Sequence, residues 1–136
     1  MTEHVYEDRW GEIIDRPESD LMELRWFDTT QTMSAHEFQE WLTTFAEWVE
    51  KRRRSRVLVD GTSFLMDSAN MDGDWRDSHI IPRYNSAGVA RFAFHMPEHM
   101  PAVGAAPAAE SPGSFPTGYF GRREAALRWL TGDSPK

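Results

Sequence analysis

The strongest constraint on this chain is a five-residue run, Arg56-Val57-Leu58-Val59-Asp60, that follows an amphipathic helical pattern with almost no connection between them. The pattern starts at Ser34-Ala35-His36-Glu37, a capping box: the serine oxygen accepts from the Glu37 amide, and the Glu37 side chain reaches back to the Ser34 amide. Behind it, Phe38, Trp41, Leu42, Phe45, Trp48 and Val49 fall on one wide apolar face, while Glu40, Thr43, Thr44, Glu47 and Glu50 face water. Such an aromatic stripe reads as core packing. A short apolar run placed directly after such a helix reads as a central strand covered on both faces.

The flanking patterns extend this unit. Residues 10–14 form a short strand candidate, closed by the turn set Pro17-Glu18-Ser19-Asp20. Residues 21–27 alternate, with Met22, Leu24 and Trp26 on one side and Glu23 and Arg25 on the other, which predicts a half-buried strand and an antiparallel hairpin. Residues 1–9 are polar and expected to be loose. After a connection over 61–73, a helix is predicted from about Trp75. Pro82 removes an amide and clashes with the preceding turn, so a kink or two short helices are expected there, ended by Gly88. Residues 89–95 read as another strand, in which Arg91 needs a partner such as Asp60 or Asp67. Residues 97–118 are rich in proline and alanine, and are expected to form a long loop that is either functional or mobile. Tyr119-Phe120 reads as a short strand. Residues 122–130 form a final helix burying Ala126, Leu127 and Leu130, and 132–136 should fray. A hairpin, a helix and then a buried strand imply an α/β fold with a mixed sheet.

Composition narrows the chemistry. The sequence has no cysteine, which excludes disulfides, thiolate catalysis and zinc-thiolate or iron–sulfur sites. The formal net charge of −7 disfavours nucleic-acid binding. The basic cluster Lys51-Arg52-Arg53-Arg54, with Arg56, complements the negative end of the preceding helix. No apolar run reaches the ~18 residues of a membrane span, and the first residues lack the pattern of a secretory signal, so a cytoplasmic location is expected. Six tryptophans argue for a firm core or an aromatic-lined pocket.

Three segments carry a resemblance. Arg56-Val57-Leu58-Val59-Asp60 is similar to the central strand of the STAS domain, the anti-sigma-factor-antagonist fold. Arg91-Phe92-Ala93-Phe94 resembles the strand after its second helix. Tyr119-Phe120 with Glu124-Ala125-Ala126-Leu127-Arg128-Trp129-Leu130 resembles the ending of its SpoIIAA-like branch, which shares a fold with CRAL-TRIO lipid-binding domains. The resemblance covers about residues 10–131. It implies a single STAS-like (SpoIIAA-like) domain, with a mixed sheet of four to five strands and three to four helices. It also implies a non-enzymatic cytosolic binding or regulatory module. In antagonist-type members a serine in an Asp-Ser-x-Gly turn is phosphorylated; the matching position is Ser68, although Asn70 stands where glycine is expected and Asp60, Asp67, Asp72 and Asp74 crowd it with negative charge.

The densest polar-aromatic cluster is Trp75, Arg76, His79, Arg83 and Tyr84 with Asn85. If the 97–118 loop folds over it, the two enclose a pocket with cationic and aromatic walls, suited to a small anionic or amphipathic ligand. The alternative places Trp75, Ile80 and Ile81 on the sheet and leaves Arg76, His79 and Arg83 in water. Three functions follow: a module binding a protein partner or small ligand, a small enzyme using the Arg76/His79/Arg83 face, or a phosphoserine switch at Ser68. No cofactor is implied. His95 and His99 lie four apart, a spacing that could hold a metal on a helix, but they straddle a strand end and a proline-broken loop with no third ligand; Asp67, Asn70, Asp72 and Asp74 do not match the spacing of an EF-hand loop. A homodimer is compatible with the acidic, tryptophan-rich chain without being required.

Overall fold

The computed structural model describes residues 2–65, 73–96, 104–106 and 117–131. The fold is α/β, built among the described residues on a seven-stranded mixed sheet. Strands β1 (Glu3–Glu7), β2 (Gly11–Arg16) and β3 (Leu21–Trp26) form an antiparallel flank. β3 then runs parallel to β4 (Arg56–Asp60), β4 to β5 (Arg91–His95), and β5 to β7 (Thr117–Phe120). The far edge is β6 (Gly104–Ala106), antiparallel to β7.

The five expected strands are present, and β1 and β6 take the sheet beyond the four to five anticipated. β1 lies in the N-terminal segment expected to be loose: Tyr6 sets its ring edge-on to Trp41 at 5.6 Å, and the strand pairs along β2. β6 and the start of β7 lie within 97–118, so that stretch is not wholly loop; the rest of it lies outside the described residues.

Helix α1 (Ala35–Arg52) has both halves of its capping box, at 3.1 and 2.9 Å, and buries Trp41, Leu42, Phe45, Ala46 and Val49. It ends at Arg53, which takes the left-handed conformation (φ 55°). Three arginines of the basic cluster are engaged locally. Arg52 and Arg54 converge on the buried Asp15, at 3.0 and 2.7 Å, and Arg56 donates to the Ser19 carbonyl at 2.7 Å. As Pro82 requires, the next helical stretch is broken into α2 (Gly73–His79) and α3 (Ile81–Ala87); Gly88, at φ 91°, ends it.

The helices divide between the two faces of the sheet. α1, α2 and α3 cover the face carrying Met22, Leu24, Trp26, Val57, Val59 and Phe92. α4 (Arg123–Leu130) covers the other, packing Ala126 and Leu130 on Leu21, Leu58 and Ala93. Arg91 does not pair with Asp60. It donates to the Trp129 carbonyl and lies over the Trp129 ring at 5.3 Å. Among the described residues, no helix is long and apolar enough to cross a membrane.

Candidate functional site

A cavity of about 280 Å³ opens between the sheet and the helices of the first face. Its position follows from strand direction. Trp26 ends β3, Val59 and Gly61 lie at the end of β4, Phe94 and Met96 at the end of β5, and Tyr119 near the end of β7. All four strands run parallel, so the cavity sits at their carboxyl ends, where ligands bind in open α/β sheets. Phe38 and Leu42 of α1, Phe64, Arg76 of α2 and Tyr84 of α3 complete the wall.

The lining is almost wholly apolar, and among the described residues its polar side-chain groups belong to Arg76, Tyr84, Tyr119 and the Trp26 indole. Arg76 places its guanidinium 5.8 Å from the ring centres of both Phe92 and Phe94. Among the described residues no carboxylate lies within ion-pair distance of it, in contrast to Arg16, Arg25, Arg52, Arg54, Arg83 and Arg123. Tyr84 is buried to 1% exposure. Burial pushes its hydroxyl up to about 12, against the opposing pull of Arg76 and Arg83, so it stays protonated at neutral pH.

The five residues singled out from sequence do not form one cluster. Arg76 and Tyr84 reach the cavity. Arg83 turns to α1 and grips Glu50 with two hydrogen bonds, at 2.6 and 3.0 Å. That pair raises the arginine and lowers the carboxyl relative to their ordinary values. Trp75 and His79 stack on each other at 5.2 Å, and the His79 Nδ1 sits 3.0 Å from the Trp75 carbonyl. Trp75 borders a separate open depression of about 360 Å³ with His36, Gln39, Glu40, Thr43 and Thr44 of α1. Arg76, His79 and Arg83 therefore do not share a face. Ser68, Asp67 and His99 lie outside the described residues.

The tryptophan-rich sequence is compatible with either a firm core or an aromatic-lined pocket, and the α1 stripe reads as core. Period and polarity place Trp26, Phe38 and Phe94 inward, but carry no signal for whether the interior there is filled.

The opposite face of the sheet holds a second polar grouping. Glu23 is fully buried, yet Arg16 contacts it at 2.9 Å, Arg25 at 3.3 Å and Arg123 at 2.6 and 2.9 Å. Burial pushes its carboxyl up, but the hydrogen bonds and charges of Arg123 and Arg16 outweigh that and hold it below the ordinary value. The expected half-buried strand is thus covered on both sides at Glu23. Arg25 also meets Glu12 at 3.3 Å and Asp60 at 3.5 Å. The Nδ1 of His95 lies 3.9 Å from Asp60, too far for a hydrogen bond, and has no hydrogen-bond partner among the described residues. This grouping is separated from the cavity by the thickness of the sheet.

No family model, curated protein or solved structure matches the chain.

Proposed function

We propose that this protein is a STAS-like, SpoIIAA-like binding module that holds a small amphipathic anion in the cavity at the carboxyl ends of β3, β4, β5 and β7. The observation that carries the reading is Arg76: a cation without a carboxylate partner among the described residues, set at the wall of an otherwise apolar cavity. A guanidinium in a low-dielectric wall favours a ligand that brings a carboxylate, because a charge-assisted, bidentate pair is stronger there than in water. The apolar remainder of the ligand replaces water against the rings.

The resemblance in element order supports the module reading, with β1 and β6 added at the sheet edges. Thermal-shift and calorimetric titration with two carboxylates, decanoate and 2-naphthoate, tests it. At least one is expected to bind and raise the melting temperature by mass action. Arg76→Ala should weaken that binding about ten- to a hundredfold, the loss expected for a hydrogen bond to a charged group. Binding unchanged in Arg76→Ala, or no saturable binding of either anion, would overturn the proposal.

A further inference from the structure

The shape of the cavity carries the ligand class further. We infer that its occupant is a flat aryl carboxylate of about two fused rings rather than an alkyl-chain acid; this rests on reading the cavity as an anion site.

The first argument is the arrangement of the walls. On the β3 side, Trp26, Phe38 and Phe64 form a triangle of rings with centroids 5.1 to 5.9 Å apart. On the β5–β7 side, Phe92, Phe94 and Tyr119 form a second group, with Phe94 and Tyr119 almost parallel at 5.1 Å and 8°. Between them lie only Val59 of β4 and Gly61 just beyond its end. Two strand spacings, roughly 10 Å, separate β3 from β5, so the two ring groups flank a slot over β4. Gly61 matters here: a Cβ on it would approach the Met96 sulfur to 3.1 Å, so a larger residue would crowd the floor of this slot.

The second argument is rigidity. Aromatic side chains have two rotatable bonds and stack at defined distances, so they hold a flat partner better than a flexible chain, which must be ordered to enter.

The third is size. A cavity of about 280 Å³ is nearly twice the ~150 Å³ of an apolar cavity that takes up one benzene. The fourth is the position of the charge. Arg76 lies equally close to the Phe92 and Phe94 rings, so a carboxylate bonded directly to the ring reaches the guanidinium while the ring system stays in the slot.

The experiment compares 2-naphthoate with decanoate by calorimetric titration against wild type, Arg76→Ala and Tyr119→Leu. Tyr119 is 37% exposed, so its replacement leaves the buried core intact. The expected result is that 2-naphthoate binds at least about tenfold tighter than decanoate. Tyr119→Leu should weaken 2-naphthoate about two- to tenfold, the value of one aromatic contact, and leave decanoate within about twofold. Decanoate binding as tightly as 2-naphthoate, with both weakened by Arg76→Ala, overturns the aromatic preference and leaves the anion site standing. A Tyr119→Leu effect equal for both ligands also overturns it, since the preference would not come from the wall. Binding of neither overturns both proposals.

Discussion

Arg123, the first residue of α4, lays both terminal nitrogens on the carboxylate of Glu23, a residue of β3 one hundred positions earlier, at 2.6 and 2.9 Å. The pair ties the last helix to a strand whose Leu21 shares a core cluster with Ala126 and Leu130 of that helix. A buried carboxylate is tolerated here because Arg16 and Arg25 share it. Glu23→Gln should therefore destabilise the protein by about 3 kcal/mol, read as a lower urea midpoint with little change in slope. A double-mutant cycle with Arg123→Ala should show coupling on the order of 1–2 kcal/mol. A loss under about 1 kcal/mol, the value of an exposed pair, would contradict this account.

Stability should fall at acid pH. Glu23 and Asp15 both titrate below their ordinary values in the folded state: Glu23 because its arginines outweigh burial, Asp15 because of its hydrogen bond to Arg54. Groups depressed in this way contribute stability that is complete above their unfolded values, near pH 4, and is lost as pH falls through the folded ones. Melting temperatures between pH 7 and pH 3 should drop most steeply below about pH 4. Glu23→Gln should flatten that drop; an equally steep profile in the variant would show that other groups cause it.

Arg83→Ala separates two arginines that the sequence alone makes equivalent. Its ion pair with Glu50 is partly exposed, so the replacement should cost no more than about 1 kcal/mol. Because Arg83 faces α1 and not the cavity, carboxylate affinity should stay within about twofold of wild type, against the ten- to hundredfold loss in Arg76→Ala. Equal losses in both variants would mean that the anion sits between them.

What was legible in the sequence was local. The α1 boundaries follow from the Ser34–Glu37 capping box and its apolar stripe, the β4 strand from Val57–Asp60, and the α2–α3 break from Pro82. What was not legible depends on distant partners. Glu-His-Val-Tyr-Glu is polar enough to read as loose, and becomes β1 only by pairing with β2. Glu23 has the alternation of a solvent-facing residue, and its burial depends on α4 covering this face, with Arg123 returning to it beside Arg16 and Arg25. The Arg76 and Arg83 positions are seven apart and read as one face, but the Pro82 break turns the second toward Glu50. A cavity is a place where packing stops, and hydrophobic pattern marks what faces inward without marking where side chains fail to meet.

The most direct test of the central claim is to locate the bound anion. Intermolecular NOEs between isotope-labelled protein and saturating 2-naphthoate report which side chains surround it. The account predicts contacts from the ligand rings to Trp26, Phe38, Phe64 and Tyr119, with the Arg76 guanidinium resonances shifted. Contacts confined to the open depression at Trp75 and Thr43, or to the Glu23 face of the sheet, would contradict it.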